Sequence, residues 1–278
     1  MSIIIISEVG INHNGDMKVC KDLIDLSVEA GCDAVKFQAR TVEKIYTKEI
    51  LDSKRDSPWG TTTREQKNGL ELSEKDYKII DKYCKKKKID WFLSCWDIDS
   101  QIRMRKFKTK YNKIASAMLT HTKLLHKVAE EKKHTFISTG MSTMKDITKA
   151  VKIFRSYKCP FELMHSHSAY PMEATEANLQ LIPFLKKKFK CDVGYSGHEK
   201  GSYLICDIAV ALGATSIERH ITLDRTMYGS DQAASLEFNA LKRMVRDVKL
   251  VQKIMGDGKK RIWDSEIPAK NKLREQLN

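Results

Sequence analysis

The chain of 278 residues predicts an α/β protein folded as one closed (β/α)8 barrel of the TIM type, and three observations predict it. Short apolar, β-branched runs alternate with helix-period segments along the whole sequence, which is the pattern of repeated βα units. Eight such runs can be counted. The length suits a barrel of about 250 residues and leaves little room for a second domain, so residues 1–278 read as a single barrel with a charged tail from about residue 262.

The strands are predicted over 3–7, 34–37, 91–94, 113–115, 135–138, 161–165, 193–195 and 216–218. Helix signals fall between them. Asp16 precedes a helix over 17–30 with Gly31 beyond it, Ser73 precedes one over 74–87, and Ser142 precedes one over 143–154. A further helix-like stretch covers 202–212. The last helix, 239–255, carries Leu241, Met244, Val245, Val248, Val251 and Ile254 on one face and stops at Gly256. One connection breaks the spacing: between Gln38 and Ser73 the chain is polar and turn-rich, reading as a long functional loop on the active face.

Composition excludes several classes of function. No run of 18 apolar residues occurs and the start is too short and uncharged for a signal peptide, which predicts a soluble, cytoplasmic protein with no membrane partner. Seven cysteines stand at 20, 32, 84, 95, 159, 191 and 206 without a CxxC pair, which argues against a disulfide framework and a thiolate zinc site. The net charge of +14 raises the question of nucleic acid. Yet the runs at 85–88 and 186–188 fall at helix C-termini, where cations complement the dipole, and no aromatic-interleaved basic stripe accompanies them. The excess charge instead suits steering of anionic substrates, and no nucleic-acid partner is expected.

Residues at the carboxyl ends of barrel strands share a cleft. Strand by strand, those ends offer Glu8; Lys36 and Gln38; Ser94; Lys113 and Ser116; Ser138 and Thr139; His165, His167 and Ser168; Ser196 and His198; Glu218 and His220. Two lysines and two glutamates in one barrel mouth imply an anionic and a cationic ligand, since unpaired buried charge is costly. The alternative is internal pairing, Glu8 with Lys36 for example. Lysines, hydroxyls and the Ser138-Thr139-Gly140-Met141-Ser142 turn leading into a helix suit a phosphate. His198 and His220, 22 residues apart at the ends of successive strands, suit one divalent metal with open coordination positions, and manganese, iron or zinc rather than calcium. Asp231, after the last strand, could orient a ligand or touch substrate.

These residues also carry a family resemblance. Glu8-Val9-Gly10-Ile11-Asn12-His13-Asn14-Gly15, Val35-Lys36-Phe37-Gln38, Lys113-Ile114-Ala115-Ser116, Ser138-Thr139-Gly140-Met141, Tyr170-Pro171, Ser196-Gly197-His198 and Glu218-Arg219-His220 resemble the catalytic barrel of sialic acid synthases, in order along nearly the whole chain. The resemblance implies condensation of phosphoenolpyruvate with an N-acetylated hexosamine, giving a nine-carbon 2-keto sugar acid and phosphate, with manganese or magnesium. It implies His198 and His220 as metal ligands, and Lys36, Lys113, Ser116 and Ser138 on the phosphate and carboxylate of phosphoenolpyruvate. Glu8, Gln38 and Tyr170 would face the sugar or the reacting carbons with Asp231 nearby, and Ser94, Ser168 and Ser196 complete the substrate-binding set.

The sequence departs from that family in four respects. The resemblance implies a small antifreeze-like domain after the barrel, and the sequence is expected to lack it; since the family's dimer partly depends on that domain, a homodimer and a separate lid protein both stay open as partners. His165-Ser166-His167-Ser168 replaces a segment that often holds a cysteine and an asparagine, with Ser168 at the asparagine's place. Met118 stands where many members have a glutamate, and the asparagine of the long loop after strand 2 has no match around Trp59. Two other classes of function fit the same residues: a metal-dependent isomerase or aldolase acting on a sugar phosphate, and a non-catalytic sugar-binding subunit.

Overall fold

The computed structural model describes residues 2–200 and 203–274. Eight parallel strands close into a barrel in chain order: β1 (Ile4–Gly10), β2 (Ala34–Ala39), β3 (Asp90–Cys95), β4 (Asn112–Ile114), β5 (Thr135–Ser138), β6 (Phe161–Ser166), β7 (Val193–Gly197) and β8 (Ser216–His220). Each pairs with the next, and β8 closes on β1 through Ile4↔Ser216 to Glu8↔His220. Several strands run further toward their carboxyl ends than the apolar runs predict, because β1, β7 and β8 carry their polar ends within the ladder.

Each strand is followed by a helix: α1 (Met17–Ala30), α2 (Glu74–Lys87), α3 (Ile98–Met104), α4 (Thr122–Ala129), α5 (Met144–Ser156), α6 (Leu181–Phe189), α7 (Leu204–Ala211) and α8 (Phe238–Ile254). Local chemistry sets their ends. The Asp16 side chain accepts from the Lys18 and Val19 amides, and Gly31 leaves α1 with φ 85°. Ser73 and Asp76 form a capping box before α2, whose last turn holds Lys85, Lys86 and Lys87. At α5 the expected cap is corrected: Thr143, not Ser142, caps the helix with Asp146, because the Ser142 hydroxyl turns back to the Gly140 carbonyl. On α8 the buried stripe ends early, with Ile254 70% exposed, so that residue does not belong to the core face. The start of the predicted 202–212 helix falls partly outside the described residues, and α7 covers its remainder.

The chain between β2 and α2 is not a bare loop. It folds into two single-turn helices, Val42–Ile45 and Lys48–Leu51, an antiparallel hairpin of Lys54–Ser57 with Gly60–Thr62, and a helix over Thr63–Gly69 opened by a Thr62–Glu65 capping box. Trp59 at the hairpin turn meets Tyr228 edge-on at 5.6 Å, which joins this excursion to the loop after β8.

The core has two shells. The larger lies between sheet and helices, where Cys20, Leu23 and Ile24 of α1, Tyr77 and Ile80 of α2, and Leu241, Met244 and Val248 of α8 are buried. The smaller fills the barrel with Ile6, Ala34, Phe92, Phe136 and Met164. Inward side chains recur every second residue, so the positions two further along, Glu8, Lys36, Ser94 and Ser138, form the next layer directly above this plug. Among the described residues no helix is long and apolar enough to cross a membrane.

Phe136 is fully buried between Phe92, at 5.8 Å, and Tyr111, at 5.3 Å. Phe136→Ala should therefore lower the free energy of unfolding by about 3–5 kcal/mol, read as a shift of the denaturant midpoint.

Candidate active site

The polar layer above the plug is a chain of buried ions. Lys36 Nζ lies 2.7 Å from Glu8 Oε2 and 3.5 Å from Glu218 Oε1, and Lys113 Nζ lies 3.1 Å from Glu218 Oε2. All four side chains are buried. Two positive and two negative charges thus neutralise one another. This corrects the expectation that these four charges by themselves require ligands of both signs. Ser196 donates to Glu218 at 3.0 Å, and Gln38 donates to the other oxygen of Glu8 at 2.8 Å.

The two lysines differ electrostatically for a geometric reason. Burial works against both charges. For Lys36 the carboxylates of Glu218 and Glu8 outweigh it, and the pKa is raised. Lys113 has one carboxylate and the Met164 thioether at 3.0 Å, and burial wins, lowering its pKa to about 8. Burial alone would raise the Glu218 carboxyl, but Lys113 and Lys36 hold it down at about 2.

His198 and His220 stand together beside this chain. Their ring centroids are 5.6 Å apart and their planes are inclined by 50°. A metal–nitrogen bond of about 2.1 Å places a ring centroid about 3.2 Å from the ion, so rings up to about 6.5 Å apart can share one ion. The pair meets this limit. His198 Nδ1 bonds to the His167 carbonyl, which leaves Nε2 for a ligand, the usual arrangement of a metal-binding imidazole. Burial, followed by the charge of His220, pushes His198 down to about 3, so its ring is neutral and can donate a lone pair. His220 Nδ1 is buried without a hydrogen-bond partner and lies 3.8 Å from Asp231 Oδ2. Tyr170 covers both rings, 4.0 Å from His198 and 5.7 Å, edge-on, from His220. Among the described residues no group of three or more His, Cys, Asp or Glu is placed to hold one metal ion.

On β4, β5, β6 and the turns after them, three hydroxyls gather at Gly140. Its N–H donates to Ser116 Oγ at 3.1 Å and to Ser166 Oγ at 3.0 Å, and those two oxygens are 3.2 Å apart. A side chain at 140 would collide with the Ser168 hydroxyl and stand 2.8 Å from Ser116 Oγ, so only glycine admits the cluster. Ser168 Oγ is buried without a partner. The Thr139 N–H and hydroxyl both bond to the Met164 carbonyl. The amides of 139 and 140 are therefore taken by internal partners. A cavity of about 710 Å³ opens beside the cluster, with Gly140, Ser166 and Ser168 on one wall and Met144, Ile147 and Leu181 on another.

Other expected residues fall as follows. Ser94 is buried next to Gln38 and Lys113 in register and has no hydrogen-bond partner, and Ser138 is buried at the end of β5. His165 and His167 do not join the histidine pair. His165 points outward, with Nε2 2.6 Å from the Ala177 carbonyl, and His167 is partly exposed near Glu176. Alternation along β6 puts Ser166, not its neighbours, on the inner face, and that signal was present in the sequence. Arg40 was missed as well: it donates to Gln38 Oε1 at 2.5 Å and pairs with Glu71 at 2.7 Å, a partner too distant along the chain to foresee.

Known proteins share this arrangement of chain. The sequence is 35% identical to the N,N'-diacetyllegionaminic acid synthase of Campylobacter jejuni, covering 99% of this chain and 84% of that one. It is 35% identical to the human N-acetylneuraminate-9-phosphate synthase, covering 98% and 77%. The crystal structure of an N-acetylneuraminic acid synthetase from Leptospira borgpetersenii, in complex with citrate, superposes with a TM-score of 0.87 at 32% identity, over 99% of this chain and 93% of that one. Residues 23–260 match the profile of the NeuB family, and the chain belongs to that family.

Proposed function

We propose that the chain condenses phosphoenolpyruvate with an N-acetylated hexosamine of the N-acetylmannosamine type, giving a nonulosonic acid and inorganic phosphate. The observation that carries this reading is the meeting, at one end of the barrel, of two imidazoles 5.6 Å apart with buried lysines. The kinship with named synthases of N-acetylneuraminate-9-phosphate and diacetyllegionaminate supports the reaction class.

His198 and His220 would hold a divalent ion, manganese first and magnesium next, and that ion when bound supplies Lewis-acid polarisation of the sugar's open-chain aldehyde. Lys113, as the less firmly paired ammonium, meets the phosphoenolpyruvate anion, and Lys36 supports it from behind. Ser116, Ser138, Ser166 and Ser168 donate hydroxyl hydrogens to the phosphate and carboxylate oxygens. C3 of the enol forms the new bond to the aldehyde carbon, a water oxygen adds at C2, and the C2–O bond to phosphate breaks. Glu8 faces C2, held by Lys36 and Gln38, where a carboxylate stabilises positive charge or takes the water's proton. Tyr170, Ser94, Ser196 and Asp231 border the sugar.

The direct test incubates purified protein with manganese, phosphoenolpyruvate and a panel of hexosamines, following phosphate and 2-keto acid. Equal release of both with one sugar is the expected result, and phosphate release without a sugar-derived keto acid would refute it. His198→Ala and His220→Ala should each cut turnover by at least about 10³-fold while circular dichroism stays unchanged; full activity in either removes the metal assignment. Because Lys113 binds an anion only as the ammonium and titrates at about 8, kcat/KM for phosphoenolpyruvate should hold below that pH. Above it the value should fall about tenfold per pH unit, and a flat profile from pH 7 to 10 would exclude the role.

A further inference from the structure

A second buried ion pair lies on the outer face of β7 and β8, away from the proposed chemistry. Arg219, between Glu218 and His220, is fully buried, and its guanidinium bonds to Glu199 Oε1 and, at 2.7 Å, to the Glu199 carbonyl. Glu199 follows His198 directly, and its other oxygen accepts from the Tyr195 hydroxyl at 3.1 Å. One pair therefore ties the residue after one imidazole to the residue before the other. Glycine at 197 makes room for it. Gly197 is in register with Arg219, and a Cβ there would stand 2.5 Å from Glu199 Oε2, 2.6 Å from Tyr195 Cε1 and 3.1 Å from Arg219 Cδ.

We infer that Arg219 and Glu199 are positioning residues that lock the segment carrying His198 to β8 and so set the separation of the two imidazoles; the inference rests on the cation site proposed above. β7 ends at Gly197, so His198 lies past the ladder that holds the rest of its strand. What restrains it there is specific. The Met172 amide donates to the His198 carbonyl at 3.0 Å, Glu199 bridges to Met172, and the arginine fork grips Glu199 by side chain and main chain together. A planar guanidinium bonded at two points fixes direction as well as distance, which a single ammonium cannot do. The interlock gives Gly197 and Arg219, the central residues of two motifs, a physical task that the inner-face chemistry leaves unassigned.

The test compares the wild-type protein with the double variant Arg219→Met, Glu199→Leu, which removes both buried charges at similar volume, a change that often leaves folding intact. Mn2+ affinity is read from free-ion electron paramagnetic resonance, and exchange of the Met172 amide is followed without metal. The expected result is at least about tenfold weaker Mn2+ binding, as for other residues that orient metal ligands, together with at least tenfold faster Met172 exchange. Binding within twofold of wild type overturns the inference. If wild-type protein takes up no Mn2+, the cation site itself fails, and unchanged Met172 exchange in the variant then overturns the positioning role. Should the double variant not fold, Arg219→Lys is read in the same way, with at least fivefold weaker binding and faster exchange expected and wild-type values overturning the claim.

Discussion

Four charges sealed inside the barrel, running Glu8, Lys36, Glu218, Lys113, constrain everything else about the mouth of this protein. They sit directly on the plug of Ile6, Phe92, Phe136 and Met164, where water cannot solvate them. Removing one would leave another uncompensated in a low-dielectric layer, a loss far larger than any surface ion pair carries. The alternating sign fixes which side chain lies beside which. It also leaves one end of the chain unequal to the other, because Lys36 is shared by two carboxylates and Lys113 by one. Of the two lysines, Lys113 is the weaker paired and Lys36 the more firmly held.

Around this layer the barrel separates two kinds of chemistry by strand. β7 and β8 bring imidazoles, whose neutrality follows for His198 from burial and from its neighbour. β4, β5 and β6 with their following turns bring hydroxyls, concentrated by the missing side chain of Gly140. The two halves meet through Ser196, which is in register with Ser166 on one side and Glu218 on the other. Imidazoles and hydroxyls on adjacent strands of one rigid sheet need no moving part to be brought together, which is the preorganisation that charge-separating reactions exploit.

The loops after β1 and β8 are stitched to one another, with the Asn12 amide donating to the Ile221 carbonyl and to Ser235, and Asn14 donating to the Tyr228 carbonyl. The excursion after β2 joins them through Trp59. The rim near Glu8, His220 and Asp231 is thereby held by side-chain to main-chain bonds across more than two hundred positions of sequence, which binds the first βα unit to the last and completes the circle.

The repeat of apolar runs and capped helices determined the fold class, because strand and helix periodicities and caps such as Asp16 and Ser73 are local properties. Alternation in the strands also determined that Glu8, Lys36, His198 and His220 face one mouth. What only tertiary structure decided is partnership. Which carboxylate neutralises which lysine, that Thr139 and Gly140 spend their amides internally, and that Arg40 pairs with Glu71 all depend on contacts between residues far apart in the chain. Such pairings are set by barrel closure and register, and no window of sequence contains both members.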